Sequence, residues 1–176
     1  MINISGIQVD KKWYVLQSQP LKEIKVFEQI YKKNIEVYLP LIDTIRYWSD
    51  RKKKIKVPLF PGYLFVYADL DERYKAISST FGALRYLMYQ KRHAIISGDE
   101  INNIRISLIE PERVRIEDAK LIEGDLVEIT HGIFKGLKGI IVQIRGNYKL
   151  MVSIVEMNTT FSVQLNNSEV KLINRI

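Results

Sequence analysis

Between residues 46 and 56 the sequence carries Arg46, Arg51, Lys52, Lys53, Lys54 and Lys56, with Trp48 among them. Guanidinium and ammonium groups at that density neutralise phosphates and release counterions, an attraction that is salt-sensitive and blind to base sequence. A neighbouring indole can stack on an unpaired base, as aromatic side chains do in single-strand binders. Lys22, Lys25, Lys32 and Lys33 form a second basic group further upstream. The plainer alternative is a solvated charged hairpin with Trp48 packed on its own strand. No sequence-specific reading of DNA follows from these residues.

Other chemistry finds little support. His93 and His131 lie far apart, without the carboxylate spacing of a metal-binding helix or a nucleophile triad. Cysteine is absent, which removes disulfide frameworks, thiolate metal sites and cysteine nucleophiles. No G-x-x-x-x-G-K-[ST] loop occurs, and Gly132, Gly136 and Gly139 lack the strand–helix context of a nucleotide fold. The sequence therefore reads as a non-enzyme with no cofactor and no metal.

The 176 residues are 47% apolar and 27% charged, ordinary globular composition. No basic stretch followed by a long apolar run opens the chain, and no apolar run nears the ~20 residues of a membrane span. A soluble, cytoplasmic protein without a membrane partner is expected. Net charge is +7, which permits an anionic partner. Residues 1–112 hold 18 Lys+Arg against 13 Asp+Glu, while residues 122–176 hold 6 against 5. The basic excess therefore belongs to the N-terminal part.

The elements that would position these groups can be read from periodicity. Trp13 to Gln17 is aromatic and β-branched and reads as a strand. Pro20 suits a helix start, and Leu21, Ile24, Phe27 and Tyr31 recur at spacings of three and four, an amphipathic stripe with the lysines largely off it. Ile35 to Leu39 is a second strand. Residues 41–59 form a long hairpin with a charged tip. Phe60-Pro61-Gly62-Tyr63 is a turn, and Tyr63 to Tyr67 a buried strand. A short helix is expected over Asp71–Thr80 and a strand over Leu84–Tyr89. Ser97 and Glu100 have the spacing of a capping box, opening a helix with Ile101, Ile104 and Leu108 on its apolar face. This order suggests an α+β sandwich with one antiparallel sheet. Charged, weakly periodic residues 111–121 read as a linker between domains 1–110 and 122–176. The second domain turns β-rich, with Leu126–Ile129, Gly139–Ile144, Leu150–Val155 and Thr160–Val163 separated by turn signals, the pattern of a small barrel.

Two motifs carry a resemblance. Pro58-Leu59-Phe60-Pro61-Gly62-Tyr63-Leu64-Phe65-Val66, with Trp13-Tyr14-Val15 before it, resembles the signature of the NusG N-terminal (NGN) domain. Gly124-Asp125-Leu126-Val127-Glu128-Ile129 and His131-Gly132-Ile133-Phe134-Lys135-Gly136-Leu137-Lys138-Gly139 are similar to a KOW motif. Trp48-Ser49-Asp50-Arg51-Lys52-Lys53, running into the first motif, resembles the specialised UpxY/RfaH-like paralogues associated with polysaccharide operons. The implied fold is an NGN-type antiparallel sheet with flanking helices, followed by a small SH3-like KOW β-barrel.

The resemblance implies an antitermination and elongation factor. Its N-terminal domain would dock on the clamp helices of the RNA polymerase β′ subunit through Tyr14, Phe60, Tyr63 and Phe65. Lys22, Lys25, Lys32, Lys33, Arg46, Trp48, Arg51, Lys52, Lys53 and Lys54 would face upstream duplex DNA or the non-template strand. The barrel would recruit NusE, the ribosome or Rho through Ile133, Phe134 and Lys135, with Phe134 the exposed anchor. A monomer and a barrel that is folded throughout are expected. Two alternatives stay open: a housekeeping NusG, and a KOW-type RNA-binding or ribosome-associated module.

Overall fold

The computed structural model describes residues 10–47, 52–117, 124–144, 146–171 and 173–176. In chain order these form β1 (Lys12–Ser18), α1 (Glu23–Tyr31), β2 (Glu36–Tyr38), β3 (Leu41–Tyr47), β4 (Lys52–Pro58), β5 (Tyr63–Ala68), α2 (Leu70–Ile77), β6 (Ala83–Tyr86), β7 (Met88–Tyr89), β8 (Arg92–His93), β9 (Ile95–Ile96) and α3 (Gly98–Ser107). They continue with β10 (Val114–Glu117), β11 (Asp125–Ile129), β12 (Lys138–Ile144), β13 (Asn147–Ile154), β14 (Thr159–Leu165), α4 (Asn167–Val170) and β15 (Ile173–Arg175). By compactness the chain divides into Met1–Leu39 with Gly62–Ile95, and Pro40–Pro61 with Ile96–Ile176. This division differs from a single boundary near residue 110, because the 41–58 hairpin and α3 go with the second unit.

The first unit is built on an antiparallel sheet of order β2-β5-β1-β6. Register decides its faces, because side chains alternate along a strand and directly paired residues share a side. Val15 pairs with Phe65, and Phe65 with Tyr38. Tyr14 pairs with Val66, and Leu16 with both Leu64 and Tyr86. The Tyr14 side carries α2: the Tyr86 hydroxyl donates to the Arg73 carbonyl at 2.8 Å, and the Arg73 guanidinium lies 4.6 Å over the Tyr14 ring. Asp69 caps α2, accepting from Glu72 N–H at 2.8 Å while Glu72 accepts from Asp69 N–H at 3.2 Å, a reciprocal box that satisfies two otherwise orphan donors.

Helix α1 is rotated away from the expected stripe. Its buried residues are Glu23, Val26 and Ile30, while Leu21 is 91% and Tyr31 67% exposed. The apolar pattern fits two overlapping helical faces, and a polar contact selects one. The Glu23 carboxylate turns inward to accept Gly62 N–H at 2.8 Å. Leu21 precedes the helix with φ +62°, and Phe27 stacks on Tyr31 at 6.1 Å.

The second unit holds the β3–β4 hairpin, paired from Leu41↔Pro58 to Tyr47↔Lys52, helix α3, and an antiparallel sheet of order β10-β14-β13-β12-β11-β15. One face of β13 and β14 buries Leu150, Val152, Ile154, Phe161, Val163 and Leu165, and Met151, Thr160 and Ser162 on the other face are buried as well. The C-terminal part is therefore β-rich, as its Ile and Val content predicts. Ser97 caps α3 as its spacing predicts, accepting from Glu100 N–H at 3.1 Å. The stretch read as linker is ordered in its first part. Pro111–Arg113 forms a 3-10 turn and Val114–Glu117 pairs with β14, with Val114 buried and Glu117 tied to Lys149 at 2.7 Å.

Gly139 of β12 lies tight against β13: a Cβ there would lie 2.5 Å from the Met151 carbonyl oxygen. Backbone must move to admit a side chain. Gly139→Ala is expected to cost about 2 kcal/mol or more, read as a lowered urea midpoint; an unchanged midpoint would contradict the close approach.

Candidate polymerase-docking and nucleic-acid surfaces

The sheet side opposite Tyr14 gathers five aromatic side chains of the first unit, Trp13, Tyr38, Tyr63, Phe65 and Tyr67. Tyr63 and Phe65 stand on it from β5, Val15 and Gln17 from β1, and Tyr38 from β2. Phe65 is fully buried and stacked on Tyr38 at 6.2 Å. Tyr63 is half-buried, its hydroxyl accepting from Gln17 Nε2 at 3.3 Å. Trp13 and Tyr67 meet at 5.2 Å on the same side. Large rings with few rotatable bonds are the side chains that make interface hot spots.

Tyr14 does not join them. One position along β1 separates it from Val15, and that step turns its ring to the α2 side, edge-on to Tyr86 at 6.0 Å. Phe60 belongs to the second unit, 2% exposed and edge-on to Phe161 at 6.0 Å. Of the four residues expected to dock, Tyr63 and Phe65 share one face, and of these two only Tyr63 is accessible, because Phe65 is fully buried.

The basic residues differ in exposure and in what they bond. Lys52, Lys53, Lys54 and Lys56 of β4 are exposed, and Lys54 pairs with Asp43 at 3.0 Å. Arg46 is paired through its backbone with Lys53, while Trp48 and Arg51 lie outside the described residues. Lys25 of α1 and Lys32 just after it are exposed, and Lys22 just before it is half-buried. Lys33 has a different role from the DNA contact expected of it. Its Nζ donates to the Lys75 and Ser78 carbonyls at 2.9 and 2.6 Å and to Thr80 Oγ1 at 2.6 Å. It thereby satisfies the C-terminal end of α2, and burial lowers its pKa.

In the barrel loop, Ile133 is 45% exposed and Lys135 is exposed, but Phe134 is 1% exposed. This corrects its reading as an exposed anchor. The Arg113 guanidinium covers the Phe134 ring at 4.8 Å. Arg113 is in turn held by Glu110 at 2.8 Å, by both carboxylate oxygens of Glu169 and by the Gln164 carbonyl at 2.8 Å.

Glu117 accepts from Lys149 Nζ at 2.7 Å and Ser162 Oγ at 2.6 Å. These two bonds, Lys149 first, hold its pKa below the ordinary glutamate value of 4.5. Its contribution to stability is full above about pH 4.5 and fades as pH falls through the lower folded value. Glu117→Gln is expected to flatten the acid side of a plot of unfolding midpoint against pH; a slope equal to the parent's would remove Glu117 from the account.

Among the described residues no cluster of His, Cys, Asp and Glu could hold a metal ion. Burial, and then the neighbouring Arg73 charge, lower the pKa of His93, which packs edge-on to Tyr86 at 5.7 Å. No helix among the described residues is long and apolar enough to cross a membrane.

The model of the family described as "Transcription termination factor nusG" matches residues 11–105. The chain belongs to the NusG family. Relatives named transcription termination/antitermination protein NusG include one from Streptococcus pyogenes serotype M1, 26% identical over 170 residues, covering 89% of this chain and 94% of the relative. The Thermus thermophilus protein of that name is 29% identical over 161 residues, covering 85% and 86%. The solved structure "Domain interaction in Thermotoga maritima NusG" superposes with a TM-score of 0.53 at 26% identity, covering 95% of this chain and 98% of that one. Its likeness agrees with a NusG-type fold, an N-terminal sheet with helices and a β-rich C-terminal part.

Within that NusG frame, sequence reasoning missed Tyr38 and Gln17 on the aromatic side, and Arg113 over Phe134. Inter-strand register places the first two, and no short motif carries register. Arg113 sits in a segment without periodicity, so nothing local marked it.

Proposed function

We propose that this NusG-type chain is a transcription antitermination and elongation factor that attaches to RNA polymerase through the clamp helices of the β′ subunit. The observation that carries the reading is the aromatic side of the first sheet, where half-buried Tyr63, bonded to Gln17, shares a side with the Phe65–Tyr38 stack. A tyrosine has few rotatable bonds and so loses little rotamer entropy on docking. The exposed lysines of β4 and α1 favour DNA nearby, as upstream duplex or non-template strand. Binding would favour the closed, elongating polymerase and shift its equilibrium by the difference in affinity for the two states. No covalent step is involved.

The resemblance of the 48–53 segment to UpxY/RfaH-like paralogues supports action at a small set of operons. In the barrel, Ile133 and Lys135 are the accessible part of a surface that would recruit NusE, the ribosome or Rho. In a reconstituted transcription reaction the protein is expected to shorten pauses and raise read-through at terminators. Elongation profiles identical with and without it, at saturating concentration, would overturn the reading.

A further inference from the structure

The residues between α2 and β6 are fastened to α1 and the turn before it. Lys33 Nζ holds Ser78 and Thr80. The Gln29 carboxamide accepts from Phe81 N–H at 2.9 Å and donates to the Phe81 carbonyl at 3.0 Å. Gln19 N–H donates to the Gly82 carbonyl at 2.7 Å. Gly82, at φ +91°, is packed so closely that a Cβ would lie 3.0 Å from Lys22 Cβ and 3.3 Å from Val26 Cγ2.

All this fixes a backbone whose side chain points into water. Phe81 is 58% exposed. Lys25 Nζ lies 4.8 Å and Lys22 Nζ 5.8 Å from its ring centroid. An exposed ammonium–ring contact adds little stability, so the fold gains little from holding the ring there. A flat apolar face with cations on its rim matches a ligand that has its own aromatic plane joined to an anion. That ligand is a nucleotide unit of a single strand, its base stacking on the ring and its phosphates meeting the lysines. Duplex DNA offers no free base plane.

We propose that Phe81 is a stacking platform for an unpaired base of single-stranded nucleic acid, with Lys22 and Lys25 neutralising the adjacent phosphates. The inference rests on reading the basic α1 surface as a nucleic-acid contact, and adds the residue that would make the contact depend on bases. Lys33 and Gln29 are positioning residues for it.

The test is fluorescence anisotropy at low salt, using the full chain and three labelled strands of equal length: oligothymidylate, oligouridylate and an abasic deoxyribose-phosphate strand. The parent is expected to bind base-bearing strands more tightly than the abasic one. Phe81→Ala is expected to lose roughly tenfold or more in affinity for base-bearing strands and nothing for the abasic strand, while Phe81→Trp binds as the parent. A loss with thymidylate, uridylate or both supports the platform, and the pattern says whether DNA or RNA occupies it. Lys25→Ala should weaken all three strands and reduce the salt dependence by roughly one counterion. Equal binding of base-bearing strands by Phe81→Ala and the parent, with salt-sensitive binding intact, would overturn the platform alone. No salt-sensitive binding to any strand would overturn the basic-surface reading and the platform with it.

Discussion

Arg113→Ala is expected to lower the stability of the second unit by about 3–5 kcal/mol, one of the largest effects of any single substitution in this chain. Three losses coincide. Glu169, 9% exposed, loses the cation that serves both its carboxylate oxygens and keeps only the Asn166 N–H, and a buried carboxylate without its counter-charge is costly. Glu110 loses its ion pair, and Phe134 loses the guanidinium over its ring. Burial pushes the Glu169 pKa up, but hydrogen bonding to Arg113 and Asn166 brings it net below the ordinary value, so Glu169 is ionised at neutral pH. Arg113→Lys should recover only part of the loss, because a single ammonium cannot serve a carboxylate bidentately and cover a ring at once. Urea unfolding checks this, with a lower midpoint expected at an unchanged slope. A change under about 1 kcal/mol would mean that the cluster is worth no more than an exposed pair.

Phe65→Ala is expected to cost about 3–5 kcal/mol and to lower the Tm of the first unit by roughly 12–40 °C. Phe65 is completely buried, against Tyr38 among others, and truncation leaves a cavity at the centre of the sheet. This changes how the docking surface must be probed. Lost polymerase binding by Phe65→Ala would be indistinguishable from lost folding. Tyr63 is half-buried with a hydroxyl accepting one 3.3 Å bond, so Tyr63→Ala removes contact area while leaving the core beneath it in place. A Tm for Phe65→Ala within a few degrees of the parent would show that its ring is not structural.

How much of this was legible in the sequence depends on the range of the determining interaction. The Ser97–Glu100 capping box formed as its spacing predicts, and the Phe60–Tyr63 turn and the 41–58 hairpin are equally local. The rotation of α1 was not legible, because a contact from Glu23 to Gly62 sets it. The exclusion of Tyr14 follows from the β1–β5 register, which two aromatic strands alone do not reveal. Strand β10 was hidden for a related reason: Val114 and Ile116 alternate with Arg115 and Glu117, but four residues are too few to distinguish a strand from a charged connection. Phe81 lay between periodic segments and carried no signal until the Gln29 clamp placed it.

The proposed docking of the N-terminal sheet on polymerase through its aromatic side is open to direct measurement. Binding of the full chain to an isolated β′ clamp-helix fragment tests it most directly, with Tyr63→Ala and Tyr14→Ala alongside the parent and melting curves for each. The parent is expected to bind, and Tyr63→Ala to melt near the parent yet lose on the order of 30-fold in affinity, as a hot spot of about 2 kcal/mol requires. Any effect of Tyr14→Ala on affinity should be smaller, since its ring lies on the α2 side. No binding by the parent, or undiminished binding by Tyr63→Ala, would contradict the proposed docking.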